Sequence, residues 1–328
     1  MVTAGPPPRV GVVGLGLIGG SLARLLVARG IDVVATDVAP GSRAAARDAG
    51  LTVADDVAGA VAGRDLVVLA VPLLAMRAVA AEVARHLDPG ATVTDVGSVK
   101  GPVRAAVSDA GAGDRYVGAH PMAGTERSGF VSSDAGLLDG VPWAVTVDAR
   151  TDPARLAAVL GLVTGPLAGT AAVLTDDCHD EVAALVSHVP HVVATQLLNA
   201  VAGAPVRDVA LGLAAGSFRD GTRVAFTDPA RTEAMVTENA AWVAPALRKV
   251  ARDLEAVVEA LEANASVHEF FHAADDVRGT WLPGRRAART GDVERVPLEG
   301  DWPAALVDRC AAGAVVVRLT ATHAEVAR

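Results

Sequence analysis

The stretch VGVVGLGLIGGSLARLLVARGIDVVATD, residues 10–37, decides the fold. Val10, Val12 and Val13 lead into Gly14-Leu15-Gly16-Leu17-Ile18-Gly19. A helical pattern through Leu22, Leu25 and Leu26 follows, and a second apolar run, Val33-Val34-Ala35, ends at Asp37. Strand, glycine turn, helix and strand, closed by an acid about 20 residues past the glycines, is the order of a dinucleotide-binding unit. Gly14 permits the tight turn there. Gly16 lets the backbone approach a pyrophosphate on the helix N-terminus, where unpaired N–H groups favour anions, and Gly19 lets helix and strand pack closely. Asp37 suits the ribose 2′-hydroxyl of NAD and repels the 2′-phosphate of NADP, with Arg43 near enough to blur that preference. The expected NAD contacts are the six residues Gly14 to Gly19, Asp37, and Val71 at the end of a later strand.

Outward from this unit the alternation continues. A helix over 42–49, a short strand over 51–53, a buried strand over 65–71 stopped by Pro72, a helix over 74–86 and a strand over 91–95 predict a parallel sheet covered on both faces. Ligands of such sheets gather at the carboxyl ends of the strands. Two loops are expected there, GSVKG (97–101) and GAHPMAGTE (118–126). Further strands at 143–147 and 170–174 flank a helix over 153–163.

From about Asp176 the texture changes. Long helical patterns over 179–201, interrupted by Pro190, and over 231–263 predict a helical half whose apolar faces bury against a second copy. A basic, turn-rich linker, WLPGRR at 281–286, then precedes a strand (294–298), a helix (304–312) and a strand (314–319). The expected division is an α/β Rossmann-like domain over 1–175, an all-helical substrate-binding and dimerisation domain over 176–280, and a linker and short tail over 281–328.

Composition narrows the class. A chain of 328 residues has room for about two domains. The 51% apolar fraction with 3% aromatics implies a core of Ala, Val and Leu. Cys178 and Cys310 alone make neither a disulfide framework nor a tetrahedral zinc site, which suits a reducing cytoplasm. A net charge of −9 argues against nucleic acid or an anionic membrane as partner but leaves small anions open. The apolar run over 10–23 is too short to span a bilayer and carries glycines at fingerprint spacing, so it is not read as a signal peptide. No other stretch reaches membrane length without charges. Residues 1–8, with three consecutive prolines, form a loose leader.

Four places hold candidate chemistry. His120, at the mouth of the nucleotide site, is of the type that takes a hydroxyl proton as hydride leaves the same carbon, with Ser98 on the neighbouring loop to orient the hydroxyl or the ring. His188 and His191, three apart on one helix face, resemble half a zinc site, but no Cys, Asp or Glu completes the set. No metal is expected, and a polar wall facing an anion or two core histidines remain. Arg219 and Arg223 stand in the turn SFRDGTR, where Asp220 and Thr222 are available to hold Arg223 as a fork for a carboxylate.

The motifs GLGLIGGSLA, DVGSVKG, GAHPMAGTERSG, HDEVAALVSHVPH and FRDGTRVAFTDP, in this order over about 9–263, resemble the prephenate/arogenate dehydrogenase family of tyrosine biosynthesis. The resemblance implies a Rossmann domain followed by a helical domain that forms a homodimer. His120 resembles that family's catalytic histidine and Ser98 the serine assisting it. His188, His191 and Arg223 resemble substrate-binding residues, joined by Thr125 and Glu126 at the pocket edge and by Asp220 as the residue positioning Arg223. The family commonly carries a tryptophan where this chain has Thr232, so one pocket wall differs. Many relatives append a regulatory ACT domain after a linker like WLPGR; about 45 residues remain here, enough for a degenerate partial version. The implied reaction is an NAD-dependent oxidative decarboxylation giving 4-hydroxyphenylpyruvate from prephenate or tyrosine from arogenate, driven by aromatisation. Two rivals stand beside it, a dehydrogenase of the β-hydroxyacid type and a non-catalytic NAD-sensing module that would need neither His120 nor Arg223.

Overall fold

The structure, a computed structural model, describes residues 7–125, 127–280 and 293–328. The start of the expected leader, Glu126 and the WLPGRR linker lie outside the described residues. Strands β1 (Arg9–Val13), β2 (Asp32–Thr36), β3 (Thr52–Val53), β4 (Leu66–Leu69) and β5 (Thr92–Asp95) pair in parallel in the order β3-β2-β1-β4-β5. Helices α1 (Leu17–Ala28), α2 (Pro40–Asp48), α3 (Val57–Val61), α4 (Met76–His86) and α5 (Gly101–Asp109) connect and cover them. All four residues of β4 and of β5 are buried, because helices exclude water from both faces. The strand order reverses between β1 and β4. The crevice beyond their carboxyl ends is where such a sheet binds its ligand.

A second sheet begins with β6 (Gly118–Pro121), antiparallel to β7 (Pro142–Thr146). Helix α6 (Pro153–Thr164) then leads to β8 (Thr170–Leu174), parallel to β7. The expected loop over 118–126 is thus a strand in its first four residues, and His120 is on it opposite Ala144. A bridge between Val93 and Tyr116 ties this sheet to β5.

The tail completes the second sheet. Strand β9 (Glu294–Pro297), a helix (Trp302–Ala311), β10 (Val315–Leu319) and β11 (His323–Ala327) give the order β6-β7-β8-β10-β11-β9, with β10 joined to β8 through Val316 and Ala171. Val296, Trp302, Leu306, Cys310, Val316 and Val326 lie in one apolar cluster with Leu156, Leu160 and Val173 of the first domain. Strand β11 has no counterpart in the pattern read from sequence.

The helical half comprises α7 (Asp176–Ala183), α8 (Val189–Ala202), α9 (Arg207–Leu213), α10 (Gly216–Thr222), α11 (Pro229–Glu238), α12 (Ala240–Glu262), α13 (His268–His272) and α14 (Asp275–Thr280), leaving α15 for the tail helix. Residues Ala184–His188, between α7 and α8, form a π-helical turn. Pro190 supplies the reason: it has no N–H for the carbonyl four residues back, and widening the turn relieves its ring. The helical half has a small core, Ala184, Val189 and Val243, yet Leu213, Phe226, Leu261 and Phe271 are 58–78% exposed. Apolar surface on that scale needs a covering partner.

Candidate active site

The glycine turn behaves as its sequence predicts. Gly14 has φ +106°, and a Cβ there would stand 2.3 Å from the Ala70 carbonyl oxygen and 3.1 Å from Val71 Cγ1. At Gly19 a Cβ would meet the Gly14 carbonyl at 2.0 Å, so only glycine lets α1 sit this close to β1. Gly16 is the opposite case, with nothing within 4 Å of a Cβ position. That open side lies at the N-terminus of α1, where no side chain caps the first N–H groups and no acid stands in the first turn. It is room and polarity for a diphosphate. Leu15 and Leu17 are buried and Ile18 half-buried, so they pack the turn from beneath.

Asp37 stands across from this turn. Its Oδ2 accepts from the Leu15 N–H at 2.6 Å and its Oδ1 from the Ala39 N–H at 2.8 Å, fixing the carboxylate at the rim with further lone pairs available. Arg43 donates from Nη1 to the carbonyls of Asp37 and Val38, at 2.6 and 3.2 Å. The guanidinium is therefore held by backbone beside the acid. These residues fit the adenosine and diphosphate portions of NAD.

Beyond β5, the segments carrying Ser98 and His120 are tied together from below. Asp95, wholly buried, accepts from Tyr116 Oη (2.7 Å), the Ala119 N–H (3.2 Å) and the Gly97 N–H (2.8 Å), and pairs with Lys100 Nζ. Lys100 Nζ also donates to the Ala119 carbonyl at 2.8 Å. Burial pulls the Lys100 ammonium below its ordinary pKa, with Asp95 opposing that shift. The pair holds Ser98 on one side and His120 on the other, immediately after Gly97 and Ala119. Ser98 and His120 are both half-buried, as groups facing a cleft should be.

His120 Nδ1 lies 3.0 Å from Nε2 of the buried His179, whose Nδ1 lies 2.7 Å from Asp180 Oδ1. Asp180 in turn accepts from the N–H groups of Lys100 (2.7 Å, Oδ1) and Gly101 (2.9 Å, Oδ2). Burial by itself would raise the Asp180 carboxyl, but the His179 bond and those two amides together hold it below its ordinary value. Desolvation pushes His120 well below the usual histidine range, and the nearby His179, Lys100 and His188 further disfavour adding a charge there. It is accordingly a neutral base at pH 7.

The helical half closes the other side. His188 is fully buried; its Nδ1 accepts from Asn239 Nδ2 at 3.0 Å, and Asn239 Nδ2 also donates to the Asp180 carbonyl at 2.8 Å. His188 Nε2 has no hydrogen-bond partner among the described residues. Desolvation lowers the ring to about 4, with Asp180 opposing and His179 and His191 adding to the shift. One residue-turn on, His191 is half-buried and donates from Nδ1 to the Ser187 carbonyl at 2.8 Å, so a neutral ring leaves Nε2 as an acceptor. Arg104 on α5 locks the two halves, pairing with Asp176 of α7 and with Asp148 at 3.6 Å.

The remaining predicted residues are less enclosed. Arg223 is exposed and opens a 3₁₀ turn (Arg223–Phe226) directly after α10, so SFRDGT is helix and not the expected turn. Asp220 does not hold Arg223. Its Oδ1 lies 3.6 Å from Arg219 Nε, both side chains being nearly four-fifths exposed, because adjacent residues at the end of α10 reach each other most easily. Thr222 instead bonds the Phe218 carbonyl (2.7 Å). Thr125 is half-buried, and its carbonyl accepts from Arg231 Nη2 at 3.1 Å, tying the 118–126 segment to α11. Thr232 caps back to the Asp228 carbonyl (3.2 Å). Sequence reasoning missed Asp95, Lys100, His179, Asp180 and Asn239. The signals were the acid and lysine of DVGSVKG and the first two letters of HDEVAALVSHVPH.

Comparison with known proteins agrees with this arrangement. The nucleotide-binding domain of prephenate dehydrogenase matches residues 22–173, and the dimerization domain of prephenate dehydrogenase matches 175–273. The chain belongs to the prephenate dehydrogenase family. Within this family it is 37% identical to the cyclohexadienyl dehydrogenase of Zymomonas mobilis, over 75% of this chain and 86% of that one. The structure of Aquifex aeolicus prephenate dehydrogenase, solved with hydroxyphenyl propionate and NAD+, superposes with a TM-score of 0.75 at 30% identity, covering 83% of this chain and 97% of its own. A Corynebacterium glutamicum protein provisionally named a prephenate dehydrogenase superposes over 93% of this chain and 97% of its own, with a TM-score of 0.83 and 33% identity.

Proposed function

We propose that the chain catalyses the NAD-dependent oxidative decarboxylation of prephenate to 4-hydroxyphenylpyruvate, with arogenate, which would give tyrosine, as the alternative cyclohexadienyl substrate. The observation that carries the reading is His120. It is a neutral imidazole at the carboxyl-end crevice of a nucleotide-binding sheet, with one nitrogen engaged by His179 and the other free for substrate.

NAD+, when bound, supplies the hydride acceptor. His120 takes the C4 hydroxyl proton at Nε2, forming N–H as O–H breaks, and Ser98 orients that hydroxyl. Arg223 and His191 hold the substrate carboxylates, Arg223 through its planar fork. His120 returns its proton to the ring oxygen when the C1 carboxylate has left as CO2 and its bonding pair has entered the aromatic ring. No net proton is consumed. Such proton transfer contributes typically about 10²–10⁴-fold to rate.

The apolar face of the helical half is covered by a second copy in a homodimer. Among the described residues no helix is long and apolar enough to cross a membrane. A chain with only two cysteines, Cys178 and Cys310, suits a cytoplasmic enzyme. The purified protein, given NAD+ and either prephenate or arogenate, should produce NADH with stoichiometric CO2. Absence of NADH with both substrates would remove this reading and leave the NAD-binding module.

A further inference from the structure

Two features of the His120–His179–Asp180 line are independent of any substrate. Asp180 Oδ1 is a carboxylate oxygen and can only accept, so the proton in its 2.7 Å contact belongs to His179 Nδ1. A neutral His179 then has its lone pair on Nε2, and the proton in the 3.0 Å contact belongs to His120 Nδ1. That leaves His120 Nε2 bare. The rings meet edge to face, 69° between planes with centroids 5.2 Å apart, so the line runs through ring edges and is not a stack.

Asp180 cannot swing away from this task. Both its oxygens are held by amides at the N-terminus of α5, 79 and 80 residues earlier in the chain, and its own carbonyl is held by Asn239. His179 and Asp180 are 2% and 4% exposed, so no water competes for the contacts. The amides that hold Asp180 belong to Lys100 and Gly101, the residues closing the loop that carries Ser98.

We propose that His179, anchored by Asp180, is a positioning residue that fixes His120 in the tautomer with Nε2 bare toward the cleft and shares the charge His120 gains in turnover. When Nε2 takes the substrate proton, the imidazolium forms with its Nδ1–H already directed at an acceptor that is backed by a carboxylate. The logic is that of a buried acid orienting a catalytic histidine, here with a second imidazole interposed. Without His179, neutral His120 is free to carry its proton on Nε2, where it cannot act as a base. The effect on turnover rests on the proposed dehydrogenase reading; the tautomer does not.

The test uses the full-length protein in two ways. In the parent, ¹⁵N-histidine spectra at neutral pH, with His120 assigned by its loss in His120→Asn, should show Nδ1 protonated and Nε2 bare. A His120 ring protonated on Nε2 overturns the proposal whatever the activity. In kinetics, His179→Leu removes the acceptor, whereas His179→Gln keeps a carbonyl oxygen able to take the His120 proton. The leucine variant should lose about 10- to 100-fold in kcat, the usual cost of removing an orienting partner from a functional imidazole. Its KM for substrate and NAD+ should stay near the parent's, and the glutamine variant should recover most of the loss. Equal losses in both variants, or a folded leucine variant with parental kcat, would reduce His179 to packing. A parent inactive on both cyclohexadienyl substrates would strike the functional reading alone and leave the spectra to decide the tautomer.

Discussion

Removing the titration of His188 should flatten the acid limb of this protein's stability by an amount the structure sets. The ring is fully buried, its Nδ1 accepts a hydrogen bond from Asn239 Nδ2, and its pKa falls from 6.5 to about 4. Between those values the unfolded chain binds a proton that the folded chain refuses. Stability therefore rises with pH across this window. The contribution is complete above the unfolded value and is lost as pH falls through the folded one. A displacement of about 2.5 pH units at about 1.4 kcal/mol each corresponds to about 3 kcal/mol. Urea unfolding of parent and His188→Gln at a fixed protomer concentration, from pH 7.5 down to 4, gives the measurement. The stability difference between the two should move by a few kcal/mol in favour of the variant as the pH drops. Contributions from His120 and the carboxylates are common to both and cancel. A difference that stays constant across the window would show that His188 is protonated in the folded state, and the neutral pocket beneath His120 would have to be abandoned. His188→Asn serves the same purpose should the glutamine variant not fold.

Other substitutions separate the parts of the site. His120→Asn should bind NAD+ normally and lose about 10²–10⁴-fold in kcat; turnover within a few-fold of the parent would refute its role as base. Since burial, chiefly, holds His120 well below 6.5, parental kcat/KM should stay level from neutrality to about pH 6.5 and fall only below it, as His120 protonates. A limb at or above pH 7 would contradict the burial argument. Asp37→Ser should narrow a strong preference for NAD+ over NADP+ by removing the carboxylate that the Leu15 and Ala39 amides hold at the rim. Equal use of both cofactors by the parent would mean that Arg43, not the acid, governs the choice. Arg223→Ala should raise KM for prephenate about 10- to 100-fold, as expected for loss of a charged hydrogen bond of about 1.5–3 kcal/mol, while NAD+ affinity holds and lysine restores only part. An unchanged KM in the folded variant would move the carboxylate anchor to Arg219 or His191.

What was legible in the chain follows from how each feature is encoded. The five parallel strands and helices α1, α2 and α4 were readable because burial on both faces writes continuous apolar runs, and because a Cβ at Gly14 or Gly19 would strike backbone, whereas the short α3 and α5 went unread. Strand β6 was read as a loop since it is four residues long, begins with glycine and ends with proline, residues that weaken a strand pattern. The docking of the tail on β8 depends on pairing Val316 with Ala171, a contact between segments that no local period can announce. Likewise, the pairing of Asp220 with Arg219 rather than Arg223 depends on where α10 ends.

The His179–Asp180 pair shows the same limit at the centre of the site. Successive residues on a helix point about 100° apart, so a sequence reader assigns one to the core and one to the surface. Both are buried here because α7 lies against the start of α5, where Asp180 meets two unpaired amides and His179 meets His120. One carboxylate thus takes part both in the junction between the halves, beside the Arg104–Asp176 pair, and in the proposed orientation of His120. Any shift of the helical half against the nucleotide-binding half must either break the bonds from Lys100 and Gly101 or carry Ser98's loop with it. In the proposed function, substrate groups held by Arg223 and His191 and the proton acceptor on β6 would then be kept in register by the packing that joins the two halves. This gives a physical reason for a histidine pair at a joint where hydrophobic side chains alone would pack as well.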